Sequence, residues 1–413
     1  MGPHRVAIAL LGLAMMWSAA AHADATTAIT YAQAIALART ASPDVAVARG
    51  QERVAASDVR VAGIYPNPSV SVGTSTQTAR LSVSASIPLI VFGQRGAAID
   101  ASRAELATVK VETESVSNDV RTATARAFVE LWLAQQTAAA RTDAAAVAAR
   151  IESAVSYLVE KGKAPETDAL RAHAERLRAD ADAQEAEGLV DVSAAELARW
   201  TGVQPDVRLR AQGDPDAPAV PPPLAALTAR IDANPTIRRE ESDARAADAR
   251  ADRERAAVRP ALILDVGVDA FDYSLLQPGD TRTPPNNYRA TLSVEVPILN
   301  MRGPLIEREQ MMASAAHTRA SAEHTRQSAA LLSAYRTLVA VSARVKALGE
   351  AVVPAAEAAA RRTEEAHSLG YAPLFAVLDA EKSRIEATLL LLEARAARAV
   401  AWADVLHATG GSL

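Results

Sequence analysis

The stretch RLSVSASIPLIVFGQR runs from Arg80 to Arg95, and in it Leu81, Val83, Ala85 and Ile87 alternate with Ser82, Ser84 and Ser86. A period of two describes a strand with one apolar face and one hydroxyl face. Three further stretches follow the same rule. PSVSVGTST starts at Pro68. PALILDVGVDAF sets Leu262, Leu264, Val266 and Val268 against Asp265, Gly267 and Asp269. YRATLSVEVP sets Tyr288, Ala290, Leu292, Val294 and Val296 against Arg289, Thr291, Ser293 and Glu295. A small periplasmic β-domain would alternate too. Two hairpins alone are marginal, however, and no other part of the chain offers them a bulky partner. Their lengths match the ~9–11 residues of a tilted outer-membrane strand. Tyr65, Phe92, Phe271, Tyr273 and Tyr288 stand at or beside strand ends, as aromatics do at membrane interfaces. The apolar faces are therefore expected to meet lipid. Ser82, Ser84, Ser86, Asp265, Asp269, Arg289, Thr291, Ser293 and Glu295 are expected to line water.

Around these strands the chain reads as helix. Of its 413 residues 49% are hydrophobic but only 4% aromatic, so the apolar content is mostly Ala, Leu and Val. That composition, with 23% charged residues, suits long helices packed along close seams. From Ala97 to Lys161 there is neither Gly nor Pro, which predicts a helix of about 100 Å at 1.5 Å per residue. Leu305 to Leu348 repeats the pattern, with Gly349 and Pro354 as expected kinks. Returning helices are expected over 166–199 and 374–408. Gly162, Lys163, Ala164 and Pro165 form the reversal in one hairpin; Gly370, Tyr371, Ala372 and Pro373 form it in the other. Gly suits the end of one helix and Pro the start of the next.

The chain is a duplication. Gly162 aligns with Gly370 at an offset of 208, as Thr201-Gly202 does with Thr409-Gly410. Ile87-Pro88 aligns with Val296-Pro297 at 209, and Pro43 with Pro235 at 192. The jump of about 17 falls where the second copy carries the extra stretch Asp272 to Asn287. The expected division is a signal peptide over 1–23, a first repeat over 24–212, a linker over 213–223 and a second repeat over 224–413. The first repeat holds a β-hairpin at about 68–92 and a helical hairpin at 94–202. The second holds a β-hairpin at about 260–298 and a helical hairpin at 304–410. The signal rests on Arg5, the apolar run after it and the small-residue site ending at Ala23, which together imply export.

Several functions are excluded or disfavoured. A net charge of -5 without a basic stripe argues against nucleic acid. The absence of cysteine removes disulfides, thiolate metal sites, a cysteine nucleophile and lipidation on Cys. No catalytic motif is present, so no enzyme is expected, and no cofactor. His317 and His324 are seven apart, a poor ligand spacing on a helix, and read as surface histidines; Glu307 and Glu309 read as ordinary charges. Four strands cannot close a barrel, and an open edge in lipid leaves backbone groups unpaired, so other copies must complete the sheet. A periplasmic coiled-coil adaptor or scaffold without a pore is the alternative. It would carry one helical hairpin between Gly/Val-rich β-domains, whereas this chain has two hairpins and four amphipathic strands.

The ordered set TYAQAIALARTASPDVAVAR from Thr30, YPNPSVSVG from Tyr65, SIPLIVFGQR from Ser86, KGKAPETDALRA from Lys161, ANPTIRREESDARAA from Ala233, VEVPILNMRG from Val294 and LGYAPLFAVLDAE from Leu369 resembles the TolC-like outer-membrane efflux protein family. The two Gly/Pro tips are most similar to its heavy-metal efflux branch. The resemblance implies a mainly α fold with a membrane β-barrel. Each unit is a long helical hairpin plus a β-hairpin, and a homotrimer builds a twelve-stranded barrel above a periplasmic helical tunnel. It implies passive export of metal ions or small toxic compounds. The implied partners are a periplasmic adaptor (membrane fusion) protein docking at the tips, an inner-membrane transporter of the resistance-nodulation-division type, and outer-membrane lipid. Asp379 matches a family position that narrows the inner end of the tunnel; the companion acid three residues earlier is Ala376 here.

Overall fold

The computed structural model describes residues 26–75, 79–204, 207–215, 217–279 and 281–411; the expected signal peptide lies outside them. Its longest element is helix α3, Gln94–Glu160, with 67 residues, or about 100 Å of rise. A helix of that length needs partners along its whole apolar stripe. Two shorter helices supply them end to end. Helix α2 (Pro43–Ala62) covers the proximal half, where the Arg95 Nε–H donates to the Gly63 carbonyl at 2.8 Å and the Thr113 hydroxyl to that of Ala48 at 3.4 Å. Helix α4 (Glu166–Thr201) returns along the distal half. The seams are lined by small residues such as Ala101, Ala148, Ala172 and Ala186, all buried, so the backbones approach closely.

The second copy repeats the plan. Helix α6 (Pro235–Ala257) packs on α7 (Gly303–Ala347), which continues through a π-helical turn at Leu348–Val352 into α8 (Val353–Ser368), and α9 (Leu374–Ala408) returns. The kink expected at Gly349 and Pro354 is this π turn. Buried or half-buried Phe128 and Leu131 of α3 correspond to Tyr335 and Leu338 of α7, an offset of 207, whereas Leu197 and Val405 of the returning helices correspond at 208. One extra residue therefore lies between them, and a π turn is the form in which a helix absorbs one. Pro354 sits just beyond it, where a missing N–H would break a regular helix. The counterpart stretch in α3 has neither Gly nor Pro and stays α-helical.

A girdle absent from the sequence reading crosses the middle. Strand β1 (Thr26–Thr30) runs parallel to β4 (Arg208–Gln212), so the start and the end of the first repeat meet. Thr30 then caps α1 (Tyr31–Ala41) in a capping box with Gln33. Beneath lie the two largest apolar cores. One gathers Ile29, Phe128, Leu131, Leu197 and Leu209; the other gathers Leu227, Ile231, Ile237, Leu338 and Val405. Leu227 belongs to a short helix α5, Leu224–Thr228.

At the far end four antiparallel strands form one sheet in the order β2 (Ser69–Gly73), β3 (Ala79–Leu89), β5 (Ala261–Asp272), β6 (Asn287–Glu295). The two hairpins therefore join through β3 and β5, leaving β2 and β6 as open edges. The connection from α2 turns at Tyr65, whose ring lies 4.5 Å beneath the Arg95 guanidinium. Arg259 Nη1 donates to the Phe92 carbonyl at 2.8 Å and Gln94 Nε2 to that of Pro260 at 2.9 Å, locking the strand–helix junctions of the two repeats together.

Candidate functional site

The register of the sheet separates two faces. Val72, Val83 and Val268 are consecutive cross-strand partners, followed by Tyr288; one step along, Val70, Ala85, Val266 and Ala290 continue the same row. On the opposite face Ser82 pairs with Asp269, Ser84 with Gly267 and Ser86 with Asp265, while Asp265 pairs with Thr291, Ile263 with Ser293 and Ala261 with Glu295. Alternation along each strand puts all nine expected water-facing residues, Arg289 included, on that one face. Ser71 and Ser84 share a hydrogen bond at 2.7 Å, and Arg289 Nη1 donates to Asp269 Oδ2 at 2.8 Å. Asp269 is only 7% exposed because Arg289 lies over it. Asp265 and Glu295 are left as the face's other acids. Gly267 was not singled out from sequence: a Cβ there would stand 2.9 Å from that of Ser84 and 3.0 Å from the Val83 carbonyl oxygen. Only a glycine lets β3 and β5 approach so closely.

Aromatics mark both ends of the sheet. Tyr65 and Phe92 lie at the helical end, Phe271 and Tyr288 at the loop end, and all four are exposed. The long loop is anchored where Asp272 accepts from the Ser274 amide at 2.9 Å and the Ser274 hydroxyl at 2.6 Å.

The two reversals have one geometry. Gly162 has φ of 67° and Gly370 of 80°. Lys163 N–H donates to the Leu158 carbonyl and Gly162 N–H to that of Val159, at 2.8 and 2.9 Å; Tyr371 to Ala366 and Gly370 to His367 repeat those distances. These are Schellman closures, and Pro165 and Pro373 follow as N-caps with extended backbone. Tyr371 is 84% exposed and Lys163 is exposed. A side chain braces the second tip, His367 Nδ1 donating to the Ala372 carbonyl at 2.8 Å.

Above the tips the second hairpin leans on the first. Leu378 of α9 joins Ile151, Val155 and Ala172 in one apolar cluster. Lys382 Nζ donates to Glu175 Oε2 at 2.6 Å, and the Arg171 guanidinium lies 4.7 Å from the Phe375 ring centre. The hydrogen bond from Lys382 holds the Glu175 carboxyl below its ordinary range, against a smaller desolvation effect. Asp379, one residue beyond Leu378, is exposed.

The remaining candidates separate clearly. His317 and His324 do not come together; each meets its own aspartate, Asp248 at 2.8 Å and Asp232 at 3.2 Å, partners that the sequence did not reveal. No group of three or more His, Asp or Glu able to hold a metal occurs among the described residues. Glu309 is not the ordinary surface charge expected: it is buried, with Arg308 donating to it at 2.7 Å. No described helix is long and apolar enough to cross a membrane.

Comparison with known proteins agrees with this geometry. Residues 34–203 match the family model described as outer membrane efflux protein. The cobalt-zinc-cadmium resistance protein CzcC of Cupriavidus metallidurans is 24% identical over 384 residues, covering 89% of this chain and 87% of that protein. The solved structure of CusC superposes with a TM-score of 0.75 at 16% identity, over 92% of both chains. The outer membrane protein VceC of Vibrio cholerae superposes at 0.71 with 18% identity, over 92% of this chain and 96% of its own. Over residues 34–203 the chain thus matches the outer membrane efflux protein family, and its fold is that of the outer-membrane channels CusC and VceC.

Proposed function

We propose that this chain is the exit duct of a tripartite efflux system and passes metal ions or small toxic compounds passively to the exterior. The observation that carries the reading is the four-stranded sheet: one continuous apolar face, an opposite face that is polar from Ser82 to Ser86 and from Asp265 to Asp269 but has Pro88, Ile263 and Ala261 toward the helical end, and two open edges. In lipid each unpaired edge group costs several kcal/mol by general estimate, roughly the strength of a hydrogen bond in an apolar medium, so the edges need other copies. Three copies would close a twelve-stranded barrel with the serine-rich face inward. The helical hairpins would then continue the duct into the periplasm. Asp379 would face the inner aperture of that tunnel. The equivalent tips at Gly162–Pro165 and Gly370–Pro373 would dock a periplasmic adaptor, which couples the duct to an inner-membrane transporter of the resistance-nodulation-division type. Metal cargo is favoured over drugs by the likeness to CzcC, a protein named for cobalt, zinc and cadmium resistance.

The experiment is deletion of the gene and growth on graded cobalt, zinc, cadmium and detergent-like toxicants. Sensitivity restored to normal by the wild-type chain, together with cellular metal accumulation in the deletion strain, is the expected result. Unchanged tolerance and unchanged accumulation for all of them would overturn the export reading.

A further inference from the structure

The duplication makes one contact inside the chain whose counterpart has no partner inside it. Helix α6 of the second repeat packs along α3 of the first, antiparallel. Arg239 Nη1 meets Glu112 at 3.1 Å, Thr108 meets Ser242 at 3.2 Å and Arg250 Nη1 meets Glu105 at 3.4 Å. Opposite positions thus run Arg239 with Glu112, then one heptad on Ala246 with Glu105, then Arg253 with Ala98. The repeat maps α6 onto α2 through Ile237 and Val45, both buried at 1%, and α3 onto α7 through Phe128 with Tyr335 and Leu131 with Leu338. Transferred to those helices, the three pairs become Val47 with Arg319, Val54 with Met312 and Val61 with Leu305.

Within one chain α2 and α7 are not packed together, and these positions are open. Val47 and Val54 are each 62% exposed, Val61 60%, Met312 47% and Leu305 38%. Three valines at heptad spacing form a seam that a lone surface helix has no use for.

We propose that Val54 and Val61 of one copy pack on Met312 and Leu305 of a second copy, in the antiparallel register of the internal α3–α6 contact. The inference rests on the assembled duct proposed above and names where its copies touch. The chemistry of the two contacts differs in a physically sensible direction. The internal contact is tethered by the chain and uses Arg–Glu pairs. The contact between copies must also offset the freedom lost on association, and there the repeat has Val47, Val54, Val61, Met312 and Leu305, with Arg319 the one charge among the six positions.

The chain has no cysteine, so the test is direct. Val54→Cys and Met312→Cys are combined in one protein, expressed in membranes and treated with a short bis-maleimide. The expected product is a covalent ladder ending at the trimer, absent from either single variant. Val47→Cys with Met312→Cys, displaced by one heptad or about 10 Å, should crosslink at least ten-fold less. Equal yields from both pairs would overturn the register. No thiol product from the first pair, where a lysine-directed reagent still gives trimers, would overturn the interface while leaving the duct intact. Monomers with every reagent would overturn both readings.

Discussion

The carbonyl oxygen of Ala41 lies where a Cβ on Gly202 would be, 2.5 Å from the ideal position, and in the second repeat the Ala233 carbonyl stands 2.7 Å from that of Gly410. Each glycine ends a returning helix at positive φ, 69° and 82°, against the entry of the short helix that carries the line onward. These two joints let α4 and α2, and α9 and α6, act as two long rods beside α3 and α7. Gly202→Ala or Gly410→Ala therefore meets both a backbone clash and an unfavourable φ. Thermal unfolding followed by helical circular dichroism should show losses clearly above the ~1 kcal/mol of an αL glycine alone. Gly162→Ala is the control, with φ of 67° but nothing within 4 Å of its Cβ; equal losses at Gly162 and Gly202 would refute the joint.

Strand orientation has a chemical test. Val83 and Ser84 are neighbours on β3 whose cross-strand partners are Val268 and Gly267. Val83→Cys and Ser84→Cys, made singly, should react differently with a membrane-impermeant thiol reagent. Position 84 should label through the water-filled side and position 83 should not. Equal labelling, or the reverse order, is incompatible with a lipid-facing apolar row.

Much of this architecture is legible in the sequence because its signals are periodic and local. Strand alternation from Leu81 to Ile87 needs no tertiary information, nor does the Gly/Pro-free run that becomes α3. The tips are legible for the same reason, since Gly162 and Gly370 end their helices through contacts within six residues. What escaped the reading depends on distant groups. Thr26–Thr30 pairs with Arg208–Gln212 across most of a repeat. Asp232 and Asp248 reach their histidines from other elements. Gly202 and Gly267 matter through a carbonyl and a serine far away in sequence. The π turn was legible only as a Gly and a Pro, because an offset of 207 or 208 is decided by which residues are buried.

The π turn predicts an asymmetry between the repeats. Deleting Gly349 removes the extra residue, and Pro354→Ala restores the N–H a continuous helix needs, so the pair should convert α7–α8 into a copy of α3. Its unfolding midpoint should stay within the equivalent of about 1 kcal/mol of the parent. Deleting Ala140 from α3 rotates everything distal to it by roughly 100° and should uncover Ile151 and Val155, costing several kcal/mol. If the two deletions destabilise equally, the turn is not an insertion.

The tie between hairpins carries a pH dependence. A carboxylate depressed in the folded chain, as Glu175 is by Lys382, contributes stability that is full above the unfolded value of about 4.3 and lost as pH falls through the lower folded value. Glu152, depressed chiefly by its hydrogen bond from His173, acts in the same direction. Glu175→Gln should flatten the fall of the unfolding midpoint between pH 5 and 3, measured by circular dichroism. An unchanged slope would show that this pair does not hold α9 to α4.

The tips give the sharpest functional test. At Gly370 the backbone has φ of 80° and open space around the missing Cβ. A side chain there strains the turn without a clash, so the cost to folding should be about 1 kcal/mol. Tyr371 contributes nothing to the core at 84% exposure, and removing it should leave the helices intact. A ring that large at the extreme end of a helical hairpin is apolar area without an internal use. If it serves the adaptor, Gly370→Asp with Tyr371→Asp should abolish export and adaptor crosslinking while trimer yield and barrel labelling at Ser84→Cys persist. If the turn merely connects two helices, resistance and crosslinking will be normal in the double variant. Lys163→Glu separates the two tips, since it changes a charge at the first and touches nothing at the second; loss of adaptor crosslinking there too would mean that both repeats dock the same partner.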